Sequence, residues 1–219
     1  MGGVRLDAQI AEKGISSTHV TGYVSPKLKG LDLSIRADST NLGFLQPFIE
    51  GIFSEINGRV NGNVRLYGDF KHLDLEGEVR AKMDAKIDLL NTYFQIRDDS
   101  IHISSGSLDF RNVKVYDREG HDGLVNGYLH HTKLKNLMYH FNIRGNNLLM
   151  YNTYEAGNMP FYGKVYGTGN VVLDGGNNAM TVDASLTTGN NTSFTYITGV
   201  TTEAASNQLI TFVDTPPKR

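Results

Sequence analysis

The stretch "NGRVNGNVRLYGDF", residues 57–70, decides the fold. Val60, Gly62, Val64, Leu66, Gly68 and Phe70 take every second position, and Arg59, Asn61, Asn63, Arg65, Tyr67 and Asp69 take the positions between. Period two is the mark of a strand with one apolar and one wet face. The same alternation returns at Val4, Leu6, Ala8 and Ile10, at Leu31, Leu33, Ile35 and Ala37, at 75–87, at 137–143 and at 180–186, so about a dozen strands are expected. Turn signals separate them: "EKG", "GDFKH", "RDDS", "DREGHDG", "RGNN" and "DGGNN". Short turns between consecutive strands predict an antiparallel meander.

The runs at 58–70 and 73–88 are long, roughly 45–50 Å at about 3.3 Å per residue. Strands of that length bend at bulges or glycines. Parity supports bending, because Leu108 and Phe110 lie on one parity and Val113 and Val115 on the other, with "RN" at the joint. A faint repeat is also visible. "VTGYV" (20–24) and "VNGNV" (60–64) stand 40 residues apart, as do "VNGYL" (125–129) and "VYGTG" (165–169). One segment breaks the pattern: in "NLGFLQPFIEGIFSEIN" (41–57) Leu45, Phe48, Ile49, Ile52, Phe53 and Ile56 recur at helical spacing, which predicts one short apolar helix.

Composition excludes several functions. With a net charge of −2 and dispersed Lys and Arg, the chain has no phosphate track, so no nucleic-acid partner is expected. Zero cysteines exclude disulfides, thiolate catalysis and Cys-based zinc sites. No apolar run reaches the about 20 residues of a membrane-spanning helix. His130 and His131 are neighbours and point to opposite sides of a strand, and "YDREGHDG" (116–123) lacks the alternating oxygen ligands of a calcium loop and reads as a polar hairpin turn. Gly163, Gly167 and Gly169 sit within a strand, where a phosphate cradle does not form. No enzyme and no cofactor are expected. The start lacks a leader pattern and "ITFVDTPPKR" stops in a loose basic tail, so a fragment of an exported protein is expected.

A long antiparallel sheet with one apolar face closes as a barrel, stacks as a sandwich or curls into a trough. The glycine pattern bears on that choice. "INGRVNGNVRLYGDFKHLDLEGEV", "RDDSIHI", "DREGHDGLVNGYLHH" and "MPFYGKVYGTGNVVLDG" together resemble the C-terminal domain of the TamB family, AsmA-like components of a translocation and assembly module, in its Bacteroidota-type form. The resemblance rests on Gly58, Val60, Gly62, Val64, Leu66, Gly68, Leu75 and Gly77, on Asp117, Gly120, Gly127, Leu129 and His130, and on Phe161, Tyr162, Gly163, Gly167, Gly169 and Gly175, over about residues 44–200. The chain departs from the family at His72-Leu73, where a proline is frequent.

The resemblance implies an all-β fold: a long curled antiparallel sheet, or β-taco, with an apolar groove. It further implies a place in the periplasm, in a bridge anchored in the inner membrane, with a TamA-type outer-membrane barrel as partner. Its cargo would be phospholipid acyl chains or unfolded outer-membrane protein strands. The expected organisation is leading strands over 1–40, a helix over 41–57, the β-taco-like domain over 58–200 and a truncated tail over 201–219. The groove is expected to be lined by Val60, Val64, Leu66, Leu75, Val79, Met83, Phe141, Ile143, Val171, Leu173, Val182 and Leu186. The alternative is a surface adhesin or glycan-binding β-sandwich with no lipid groove, to which exposed tyrosines such as Tyr67, Tyr128 and Tyr166 would belong.

Overall fold

The computed structural model describes residues 3–12, 16–46, 53–88, 90–132, 135–156, 159–176 and 179–198. Twelve strands run through them: β1 (Val4–Glu12), β2 (Ser16–Ser25), β3 (Gly30–Asn41), β4 (Phe53–Asp69), β5 (His72–Ile87), β6 (Thr92–Ser104), β7 (Ser107–Tyr116), β8 (Asp122–Thr132), β9 (Lys135–Thr153), β10 (Phe161–Gly176), β11 (Ala179–Thr188) and β12 (Ser193–Tyr196). All belong to one antiparallel sheet whose spatial order is the sequence order from β1 to β11. β12 turns back and pairs with Phe161–Lys164 of β10, beside the Gly167–Gly176 stretch that β11 takes. The all-β antiparallel meander expected from the alternation is present, as a sheet that stays open. β1 and β11 do not pair among the described residues, so no barrel closes.

The alternation reads out as rows that cross the sheet. Ala8, Val20, Ile35, Val64, Gly77, Ile103, Leu108, Leu129, Tyr139, Gly175 and Met180 are partners in turn from β1 to β11. This row holds hydrophobic or glycine residues only. The neighbouring row on the other face runs Gln9, His19, Arg36, Asn63, Glu78, His102, Asp109, Tyr128, His140, Asp174 and Thr181.

The sheet curls toward its apolar face. Phe94 of β6 packs against the cluster that Tyr139, Ile143, Leu148, Met150, Val171 and Leu173 form on β9 and β10. In a flat sheet β6 and β9 would stand about 14 Å apart, three strand spacings. The β5–β6 turn clasps the far strand directly: Asn152 N donates to Leu90 O at 3.1 Å and Asn91 Nδ2 to Asn152 O at 2.5 Å.

Several strand glycines take a positive φ at which a Cβ would strike a carbonyl oxygen of the neighbouring strand. Gly22, Gly62 and Gly127, the centres of three repeat pentapeptides, lie in strands opposite Leu33, Val79 and Phe141. In the fourth pentapeptide the corresponding residue is Gly169, opposite Leu186, rather than the central Gly167. A Cβ added to Gly127 would stand 2.0 Å from His140 O and 2.8 Å from Phe141 Cα, at a φ of +154° that side chains disfavour. Gly127→Ala is therefore expected to cost about 3–5 kcal/mol from strain and overpacking together. Gly120→Ala, in a turn with open space around it, is expected to cost about 1 kcal/mol. Urea melts of the two variants measure the difference.

The helix expected over 41–57 does not reach the described ends of that segment. Leu42–Leu45 makes one 3-10 turn, Phe53–Asn57 opens β4, and 47–52 lie outside the described residues, as does the tail over 201–219. At the end of this segment a bulge accounts for the spacing of Phe53 and Ile56: the register shifts between Ser54 and Asn57, with Glu55 at φ +56°. The extra residue lets Phe53 and Ile56, three apart, both reach the apolar core. Two expected turns are also strand. "RDDS" (97–100) lies in β6, where the register with β5 shifts, and "RGNN" (144–147) lies in β9, with Asn147 at φ +53°. Gly, Asn and Asp suit a bulge as well as a turn. The "RN" joint is a bulge between Phe110 and Val113, with Asn112 at φ +53°.

Candidate functional site

The curl divides the apolar face into a roofed middle and open flanks. In the middle Leu42, Ile56, Val60, Ala81, Ala85, Ile96, Ile101, Val113 and Val115 form one buried cluster, and Leu148 and its neighbours on β9 and β10 form the second. The twelve residues expected to line a groove all fall on this face. Their cross-strand partners show it: Val60 faces Ala81, Val64 faces Gly77, Leu66 faces Leu75, and Val79 faces Gly62. Met83 faces Gly58 and Ile96, Phe141 faces Leu173, Leu173 faces Val182, Ile143 faces Val171, and Leu186 faces Gly169.

They do not share one environment. Val60, Ile143, Val171 and Leu173 are buried in the two clusters, and Val79, Met83, Phe141 and Leu186 pack against those clusters. These eight are covered by the protein's own side chains. Val64, Leu66 and Leu75 are half-buried outside both clusters, and Val182 is 40% exposed.

The residues that present the most open apolar surface of this face lie elsewhere. Val4 and Ile10 of β1 are each 64% exposed, and between them Leu6 and Ala8 are half-buried. Val20 and Val24 of β2 and Leu31 and Ile35 of β3 continue the strip, pairing across it as Val4–Val24–Leu31 and Ala8–Val20–Ile35. The alternation at 4–10 and 31–37 marks these positions in the sequence, but what covers a face depends on the curl, which period two does not encode.

The opposite face is polar and laced with ion pairs. Arg65 bridges three strands, donating to both carboxylate oxygens of Asp32 at 2.8 Å and to Glu76 at 2.9 Å. The hydrogen bond from Arg65 holds the Asp32 carboxyl below its usual range, against a small opposing effect of burial. Arg80 pairs with Asp98 at 2.8 Å, His140 with Asp174 at 2.6 Å, and His130 stacks on Tyr128 at 4.0 Å between ring centroids. Exposed pairs of this kind add little stability each.

No family model, curated protein or solved structure matches the chain. Function therefore rests on what these faces offer.

Asp117 is the one buried carboxylate among the described residues, and its task is structural. Asp117 opens the β7–β8 turn and accepts from Glu119 N and His121 N on Oδ1 and from Leu149 N and His121 Nδ1 on Oδ2, at 2.8–2.9 Å. Burial by itself would raise the carboxyl's pKa, and these donors outweigh it, so the group is held below its ordinary value. Next to it Glu119 accepts from Lys164 Nζ at 2.6 Å and from Tyr166 Oη at 2.7 Å, pinning the turn to β10. The "DREGHDG" segment is thus a hairpin turn locked onto β9 and β10, with its central carboxylate saturated by protein donors. Among the described residues, no three His, Asp or Glu side chains converge in a way that could hold a metal ion.

What the apolar face can do chemically is bind without direction. Burying a methylene on it contributes about 0.8 kcal/mol. Such contacts hold an acyl chain or an extended apolar segment and let it slide.

Proposed function

We propose that the protein is a non-enzymatic carrier surface of the periplasm. Its apolar trough would pass phospholipid acyl chains between the inner and outer membranes, or hold unfolded outer-membrane protein strands during their assembly, in concert with an outer-membrane barrel of the TamA type. The supporting observation is the uninterrupted apolar row from Ala8 to Met180, closed over by side chains in its middle, half-buried along β2 and β3, and most open on β1, where Val4 and Ile10 are uncovered. An open apolar strip of this kind marks a binding surface. Cargo would lie along β1–β3, where Val4 and Ile10 are uncovered, rather than over the filled centre.

The test is uptake of a fluorescent phospholipid from donor vesicles. Wild type is expected to acquire it with or without a chelator, Ile10→Asp to lose at least tenfold in uptake at an unchanged melting temperature, and Arg5→Ser, on the polar face of the same strand, to match wild type. No uptake by the wild type, or equal uptake by Ile10→Asp, defeats the reading. Retention on a glycan array in that case favours the adhesin.

A further inference from the structure

Antiparallel order sends successive turns to alternate ends of the sheet, and the two ends differ in charge. At one end lie the β2–β3 turn, Pro26-Lys27-Leu28-Lys29, the β4–β5 turn, Phe70-Lys71, and the β6–β7 turn, Ser105-Gly106. These connections carry three lysines and no carboxylate of their own; the acids beside them are Asp69, which accepts from Lys71 N and His72, and Asp74, which accepts from Ser105 and Gly106 N. The described connections at the opposite end carry Asp88, Asp117, Glu119 and Glu155 against Arg118.

The basic end also carries apolar tips. Leu28 is 82% exposed and Phe70 is 49% exposed. The two turns form one unit, because Phe70 N donates to Lys29 O at 2.6 Å. Each is held by local hydrogen bonds: Lys29 N donates to Pro26 O, Leu28 N to Ser25 Oγ, and Lys71 N to Asp69 Oδ1. The tips therefore stand out by construction, on ordered turns. Lys27, Lys29 and Lys71 are exposed and make no ion pair among the described residues. In sequence, Lys-Leu-Lys recurs at 133–135.

From this juxtaposition we infer that the end of the sheet formed by Lys27, Leu28, Lys29, Phe70 and Lys71 is a docking tip for an anionic phospholipid bilayer. Lysines beside an anionic leaflet gain from its surface potential, and an aliphatic and an aromatic tip at headgroup depth remove apolar area from water. Either signal alone binds weakly, and the pair together gives a stable but reversible contact. A polyanion such as nucleic acid would satisfy the lysines and leave Leu28 in water, which is why the bilayer is the occupant. The open strip on β1–β3 reaches this same end, where Val4 pairs with Val24 and Val24 with Leu31. A docked tip would put the strip's mouth against the leaflet. Docking does not depend on the carrier reading: binding to vesicles without lipid uptake leaves the tip standing and removes the carrier.

The chain has no cysteine, so single-site labelling is clean. Leu28→Cys and Glu155→Cys, at opposite ends, are each labelled with an environment-sensitive fluorophore and mixed with vesicles of phosphatidylcholine alone or with added phosphatidylglycerol. The label at 28 is expected to shift to the blue with the anionic vesicles only, and the label at 155 to stay unchanged. The unlabelled triple variant Lys27→Gln, Lys29→Gln, Lys71→Gln is expected to lose about 100-fold in vesicle affinity by sedimentation, about fivefold per charge removed. Phe70→Ser is expected to lose up to about tenfold. High salt should weaken wild-type binding. The inference is overturned by wild type that ignores anionic vesicles, by binding that is equal on both vesicle types, by a triple variant that binds as wild type, or by retention on single-stranded DNA with none on vesicles.

Discussion

Val113→Asp is expected to abolish folding, while Ile10→Asp on the same apolar face leaves a folded protein. Val113 has no accessible surface and packs in the cluster with Ala81, Ile96 and Val115. A carboxylate placed there has no cation partner, and an unpaired buried charge costs several kcal/mol against a total stability of about 5–15 kcal/mol. Val113→Thr keeps the shape and adds one hydroxyl, so it is expected to cost about 1–3 kcal/mol and remain folded. At Ile10, 64% exposed, the new charge stays in water and the stability change should fall within about 0.5 kcal/mol. Circular dichroism melts of the three variants read the result. A trough open along its whole length would instead tolerate the charge at 113 as well as at 10, so a folded Val113→Asp protein contradicts the roofed middle.

Asp117→Ala should be the costliest change to a polar side chain. It leaves the Leu149 N–H without its acceptor at a buried position and releases Glu119 N and both His121 donors. The expected loss is about 3–5 kcal/mol, a melting shift on the order of 10 °C. The same carboxylate sets an acid limb. Its folded pKa is depressed, so its contribution is present in full above the unfolded value of about 3.9 and is lost as pH falls from there through the folded value. Asp74 is also held low, by Ser105 Oγ and the Gly106 and Leu75 N–H groups against the opposing effect of burial, and adds to the same limb. Asp117→Asn keeps the shape without the charge, and its stability curve should be flatter below about pH 4. An unchanged slope would show that the turn does not depend on the charge.

Period two was legible because each strand has one buried and one wet face, and the twelve expected residues share a face despite register shifts between β3 and β4, β4 and β5, β5 and β6, β7 and β8, β8 and β9, and β9 and β10. Bulges misled where they imitate something else. Phe53 and Ile56 take helical spacing because Glu55 is the extra residue of a bulge, and "RGNN" has turn composition because Asn147 takes a left-handed conformation inside β9. The division of the apolar face was not legible. Whether Val60 is lining or core depends on Leu42 and Val113 arriving from other parts of the sheet, and Val4 and Val60 look alike in a pattern of alternation. The claim of Phe94 on β9 and β10 is likewise a property of the curl, invisible in any single strand.

The strictly sequential order of the sheet has a kinetic consequence. Every strand from β2 to β11 adds to the one made just before it, so nearly all pairing closes loops of hairpin size, and the entropy of bringing partners together stays small at each step. A sheet of this kind can zip in the direction of synthesis, each new strand templated by the exposed edge of its predecessor, without waiting for distant sequence as a Greek-key sandwich must. The longest-range hydrogen bonds among the described residues are those of the clasp of Leu90 and Asn91 on Asn152, which spans about sixty residues and forms only after β9 is laid down. Growth is then local and early, and curvature is global and late: the ribbon assembles first as an open band, and its roll is locked when the clasp shuts.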